Sequence, residues 1–264
     1  MTDASTGPGD PARTLELLWD TRERSGLGRK PGLRLDQVVS AAIEVADADG
    51  PDSLSMRRVA DQLGVGTMTL YRYVPGKAVL FDIMVDRVSA EVRYDVDSGG
   101  AGWRFRLEQV ARVNRALFER HPWLLTHLPG RPPLGPGVIA KYDAELRAVE
   151  GIGLTDVEMD SALTLVLGYV RDATASLLEW KKRSEADGQS DNEWWSTLAP
   201  HLDRVLDRER YAVAVRVGTT ATTHYDGVHD AEHAFEFGLQ RILDGIASFV
   251  HGKKPHSVRP DPDR

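Results

Sequence analysis

Residues 54–77 read LSMRRVADQLGVGTMTLYRYVPGK, and the order of small, apolar and polar residues in this stretch decides the fold of the N-terminal part of the chain. Ser55 is a good helix N-cap, and Met56, Val59, Ala60 and Leu63 follow at the i, i+3, i+4, i+7 spacing of one helical face. Gly64 breaks that helix and supplies the left-handed backbone a tight turn needs. A second, shorter helix is predicted from Gly66 to Val74, stopped by Pro75-Gly76. Ala60 is small where two helices must cross closely, and Val59, Leu63, Val65 and Leu70 can close a miniature core. Thr67, Met68, Thr69, Tyr71, Arg72 and Tyr73 are then left on the outside, a polar and partly aromatic surface that suits a recognition helix in the major groove. A three-helix packing unit with no DNA to read would show the same Ala and Gly spacing, so the pattern alone leaves both readings open.

Working outward, Leu35, Val38, Val39, Ala42 and Ala46 predict a preceding amphipathic helix that ends at Gly50-Pro51. A fourth helix, Pro75 to Arg93, places Leu80, Ile83, Met84 and Val88 on one face. Further helices are predicted at Trp103–Arg120, Trp123–Leu128, Pro136–Gly151, Thr155–Lys182, Glu193–Arg210 and Ala231–Val250. Between them, Pro129–Gly137, Ser184–Asn192 and Gly218–Asp230 read as loops. Only Tyr211–Val217, β-branched and alternating, leaves helix and strand undecided. The expected fold is all-α, with a helix-turn-helix domain over residues 30–80 and a larger helical domain over 81–252. Residues 1–29 read as a flexible extension with room for one short helix, Thr14–Arg24, and 253–264 as a disordered tail.

Composition narrows the function. The formal net charge of −7 repels phosphates overall, which argues against indiscriminate coating of nucleic acid. The early basic residues run the other way: Arg13 to Arg34 holds six basic against three acidic residues, and Ser55 to Lys77 four against one. With no Cys in the chain, disulfides, thiolate metal sites and thiol nucleophiles are excluded. The strongly apolar stretch Ala162–Val170 is far shorter than the roughly 18 to 20 residues of a membrane span, and MTDASTGPGDP lacks the order of a secretory signal, so a cytoplasmic protein without a membrane partner is expected. No nucleophile–base pair or Gly-rich phosphate loop points to an enzyme. His224, Asp226, His229, Asp230 and His233 cluster in sequence, but beside a predicted loop such residues read as solvated polar groups. No metal and no cofactor are expected.

The stretch Leu35–Val88, above all LSMRRVADQLGVGTMTLYRYVPGK, resembles the N-terminal domain of TetR-family regulators. Carried over by position, the resemblance puts DNA contacts on Arg57, Thr67, Met68, Thr69, Tyr71, Arg72, Tyr73 and Lys77. It implies Tyr71 and Lys77 on phosphates and Thr67 and Arg72 on bases. Members differ where Met68 and Arg72 stand, so base preference does not transfer. A basic arm at Ser25–Gly32, with Arg29 and Lys30, is either a linker or a minor-groove contact. The remainder is similar to the drug-binding body of the TetR class through His121-Pro-Trp and Arg131-Pro-Pro-Leu-Gly-Pro.

That likeness implies a homodimer built by pairing two long helices, here Thr155–Lys182 and Ala231–Val250, the second carrying a seam of Phe235, Leu239, Ile242, Ile246 and Phe249. A buried core within one chain would show the same periodicity. Phe105, Asn114, Phe118, Trp123, His127, Tyr142, Tyr169 and Arg171 are the expected lining of an effector pocket for a flat or lipophilic small molecule. Tetracycline-type members take a magnesium-chelated drug, whose ligands have no residue-by-residue counterparts here. The expected function is a ligand-responsive repressor that binds a palindromic operator as a dimer and is released by its effector. The alternatives are a regulator or architectural protein without a ligand and an effector-dependent activator.

Overall fold

A computed structural model describes residues 11–19, 33–94, 102–127, 132–225 and 227–253. Of the predicted N-terminal extension, residues 1–10 and 20–29 lie outside the described residues, as do the basic arm and residues 254–264 of the predicted tail. In order the helices are α1 (Pro11–Trp19), α2 (Leu35–Asp49), α3 (Met56–Leu63), α4 (Thr67–Leu70), α5 (Lys77–Ala90), α6 (Trp103–Arg120), α7 (Trp123–His127), α8 (Pro136–Leu146), α9 (Asp156–Asp187), α10 (Asp191–Val205), α11 (Ala212–Tyr225) and α12 (Ala231–Gly252). Among the described residues there is no strand. The all-α expectation holds.

The head is α2 to α5. Gly50, at φ 80°, ends α2 and leads into a 3-10 turn at Pro51–Ser53 that sequence reading did not foresee. Val38, Val39, Ala42, Val59, Ala60, Leu70 and Leu80 are fully buried together. The body centres on α6, which packs on α9, while α9 packs on α12 and α5 lies along α8. Because α5 belongs to both halves, the expected domain boundary at residues 80 and 81 falls inside one continuous helix.

Several boundaries differ from expectation for identifiable reasons. The recognition segment is α-helical only over Thr67–Leu70. Beyond it the amides of Arg72 and Tyr73 reach three residues back, to Thr69 and Leu70, because Pro75 drives the residue before it out of the helical region. All of Tyr211–Val217 but its first residue, with part of the predicted loop Gly218–Asp230, forms α11. Among the described residues a strand there has no edge to pair with. A helix satisfies its own backbone, and Thr220, Thr222 and Thr223 turn their hydroxyls onto carbonyls four residues back. A capping box of Thr155 with Glu158 opens α9, which runs to Asp187 inside the predicted loop at Ser184–Asn192. At the other end α10 stops at Val205 rather than Arg210, and α8 at Leu146 rather than Gly151. The short N-terminal helix starts at Pro11 rather than Thr14, residues 20–24 of the predicted span lying outside the described residues, and it docks on α5, with Trp19 Nε1 donating to the Leu134 carbonyl at 2.7 Å.

Candidate nucleic-acid interface and the body behind it

Ser55 Oγ accepts the Arg58 amide at 3.2 Å and so starts α3. Gly64, at φ 66° and ψ 31°, then turns the chain, and the Val65 amide bonds back to the Ala60 carbonyl at 3.0 Å. Val59, Ala60 and Leu70 have no exposure, and Leu63 and Val65 are half-buried against them. What this core leaves outside is Met68, 77% exposed, with Tyr71 and Arg72 exposed beside it and Thr67 and Thr69 half-buried. Arg57 projects from α3 with only a 3.9 Å contact to Asp61. Lys77 is half-buried and makes a long 3.4 Å hydrogen bond to the Pro51 carbonyl. Tyr73, half-buried like Thr67, Thr69 and Lys77, differs from them in packing its ring against the apolar core. Arg58, next to Arg57, turns back instead to pair with Asp49.

Behind this surface α5 is clamped to α8. The Asp86 carboxylate, 8% exposed, accepts the Val138 amide at 2.9 Å at the start of α8. The approach is so close that a Cβ on Gly135 would lie 2.3 Å from Asp86 Oδ1, and one on Gly137 2.1 Å from the Asp86 carbonyl oxygen. Only glycine fits at either place. Burial raises the Asp86 carboxyl above its ordinary value, while the amides of Val138 and Gly137 oppose the shift.

Further in, one oxygen of buried Glu145 on α8 gathers three donors: Tyr94 hydroxyl at 2.5 Å, Lys141 Nζ at 2.5 Å and Asn114 Nδ2 at 2.7 Å. Burial, followed by the Glu145 charge, pushes the Tyr94 phenol well above its usual range and keeps it a neutral donor. The outer side of α6 is held to α12 by ion pairs running antiparallel, Arg104 to Asp244 at 2.7 Å, Arg112 to Glu236 at 2.6 Å and Arg115 to Glu232 at 2.6 Å. Between α9 and α12 lies an open groove of about 480 Å³, lined by Leu154, Ala162, Leu165, Ile242, Ile246 and Phe249 among others.

Residues 38–84 match the bacterial regulatory proteins of the tetR family, and residues 97–250 match the tetracyclin repressor-like C-terminal domain. The chain belongs to the tetR family. It is 46% identical over 254 residues, 96% of this chain and 92% of the relative, to the HTH-type transcriptional repressor DrrR1 of Streptomyces coeruleorubidus. An HTH-type transcriptional regulator of Saccharopolyspora erythraea is 33% identical over 92% of this chain and 95% of its own length. Among solved structures, ActR of Streptomyces coelicolor in complex with actinorhodin shares 25% identity at a TM-score of 0.67, covering 84% of this chain and 100% of that one. This tetR-family chain is therefore a helix-turn-helix, DNA-binding transcriptional repressor with an all-helical body.

Within that body the eight residues expected to line an effector pocket do not come together. Asn114 is buried in the polar cluster, and Phe118 and Trp123 are core. Phe105 and Arg171 face outward. Tyr142 is 41% exposed and donates to Asp160 at 2.7 Å. The Tyr169 hydroxyl lies 2.8 Å from the Ala234 carbonyl, in a space that exists because residue 238 is glycine, so this ring locks α9 to α12. His127 closes α7, with its side chain outside the described residues. Aromatic content selected these positions, and aromatics do structural work in a helical body.

Sequence reading missed Tyr94, Lys141 and Glu145. One signal was available: Lys141 and Glu145 follow Val138 at i+3 and i+7 on one stripe of α8, where a charge marks either an error of phase or a buried pair. Of the histidine cluster, Asp226 lies outside the described residues. Among those described, no three His, Asp or Glu side chains converge in a way that could hold a metal ion, and the rings of His224 and His233 pack against Tyr225 instead, the first edge-on and the second tilted. No helix is long and apolar enough to cross a membrane among the described residues.

Proposed function

We propose that the chain represses transcription by binding a palindromic operator as a homodimer and leaves it when a small molecule enters the body. The observation that carries this reading is the α3–α4 surface: a buried apolar support with Thr67, Met68, Thr69, Tyr71 and Arg72 turned outward between Arg57 and Lys77. Arg72 and Thr67 read base edges, while Tyr71, Arg57 and Lys77 hold phosphates. Tyr73 serves the fold as well as the interface. The apolar groove between α9 and α12 is the face on which a second copy pairs, placing two heads on two half-sites.

For the effector, we infer a site around the Glu145 cluster in place of the scattered aromatic set. Asn114, Tyr94 and Lys141 supply its polar groups, and Leu107 and Phe118 are buried apolar residues of the same helix as Asn114. That chemistry suits a flat ligand carrying hydroxyl or carbonyl groups, in keeping with the actinorhodin complex of ActR. The molecule works on DNA, in the cytoplasm, without catalysing a reaction. Selection of bound DNA from a random pool tests the reading: an enriched palindrome is expected, and a pool with none sinks it. Arg72→Ala should then weaken binding to the recovered site by about 1–3 kcal/mol at unchanged melting temperature.

A further inference from the structure

Besides sharing α5, head and body meet through a small polar joint at the far end of α2. The carboxylate of Asp47, in the last turn of α2, accepts Trp123 Nε1–H at 2.7 Å. His121 Nδ1 lies 2.9 and 3.0 Å from the two oxygens of the same carboxylate and donates to it. His121 lies in the turn between α6 and α7 and Trp123 opens α7; both are buried, Trp123 to 1% and His121 to 4% exposure. Trp123 is braced edge-on by Phe81 of α5, with ring centroids 5.4 Å apart. Among the described residues His121 Nε2 is buried with no hydrogen-bond partner, and Asp47 is the polar anchor that orients this ring.

The joint sits close to the DNA-reading unit. Two residues beyond Asp47, Asp49 pairs with Arg58 of α3, and its carbonyl accepts Ser53 Oγ at 2.7 Å. The helix α7 itself packs on the Pro51–Ser53 turn that leads into α3. A displacement of the Asp47 turn is therefore passed directly to α3 and α4. The head core needs no polar group to be stable, since its buried residues from Val38 to Leu80 are all apolar. Apolar packing resists separation but tolerates small rotations. Two hydrogen bonds converging on one carboxylate are directional and hold an angle.

We propose that Asp47 is a positioning residue for operator binding: with His121 and Trp123 it sets the angle at which the body carries each head, and hence the spacing between half-sites that the dimer accepts. This rests on the dimeric, palindrome-binding reading above. The test uses the full-length protein and its Asp47→Ala, Asp47→Asn and Trp123→Phe variants, titrated against the selected palindrome, against versions with one or two base pairs added or removed at its centre, and against a single half-site. Wild type should favour one spacing. In Asp47→Ala and Trp123→Phe the ratio of best to altered spacing should fall about three- to tenfold, with half-site affinity unchanged and Asp47→Asn in between.

Equal losses on half-site and palindrome would mark Asp47 as merely structural and overturn the proposal. So would unchanged spacing ratios in folded variants. Should Asp47→Ala fail to fold, Trp123→Phe decides: it keeps an aromatic ring beside Phe81 and removes the N–H together with part of the indole's bulk, and the melting temperature, read alongside, separates lost packing from the lost hydrogen bond. A wild-type protein that binds no palindrome at all removes the underlying dimer reading and this role with it, whereas a palindrome bound with intact spacing preference by the variants overturns the joint alone.

Discussion

The head and the body differ in what they bury. From Val38 to Leu80 every buried residue that packs the head is apolar, whereas Asp86, Ser89, Asn114, His121, Glu145 and Thr174, all from the middle of α5 onward, are polar and buried. A core held by area alone has one deep minimum and moves as a unit. A core that includes a carboxylate with three donors, or one abutting a helix start, depends on atoms placed within tenths of an ångström and can adopt discrete alternatives when a donor is replaced. The contrast assigns rigidity to the part that reads DNA and adjustability to the part that must answer a ligand.

The contrast can be broken most forcefully in the head. Leu70→Ala removes the fully buried side chain with which α4 packs on α3 and should cost about 3–4 kcal/mol, read as a lower urea midpoint with operator binding lost alongside it. If the midpoint barely moved, the head would not be the tightly packed unit described here. A smaller effect, of about 1–3 kcal/mol, is expected from Gly137→Ala, whose new methyl meets the Asp86 carbonyl and Ala90 Cβ and must push α8 off α5. That variant should keep a folded head and alter ligand response, which calorimetry with and without operator can separate.

The smallest effect is a change of slope with pH. Burial raises the Asp86 carboxyl above 3.8 in the folded state, so its contribution is most favourable below the unfolded value and is lost as pH rises through the folded one. Relative to Asp86→Asn, the wild-type melting temperature should decline between about pH 4 and neutrality. A difference between the two proteins that does not change with pH would show that this carboxylate is not desolvated in the way its position implies.

The same division explains what the sequence made legible. Ser55, Gly64, Val59, Ala60 and Leu70 act on near neighbours, and short-range spacing with turn chemistry was enough to place them and the recognition surface. Glu145 is read as surface by any rule that treats charge as exposed, and its partners Tyr94 and Asn114 stand 51 and 31 residues away. Trp123 and Tyr169 carry the aromatic signature of a ligand wall, yet their polar atoms are used on Asp47 and on the α12 backbone. Alternating Val213, Val215 and Val217 imitate a strand because their period is set by composition, while the absence of a partner edge among the described residues is visible only in three dimensions.

The meeting of Asp86 with Gly135 and Gly137 has a practical consequence for anyone recombining regulators of this kind. Although Asp86 lies on the helix that completes the head, its carboxylate and carbonyl are fitted to two glycines of the body. A crossover placed after α5 would separate these three residues and bring a foreign helix against a start of α8 shaped for this one. Cutting between Leu80 and Asp86 keeps them together, so a grafted head travels with a smaller part of α5 than its secondary structure suggests.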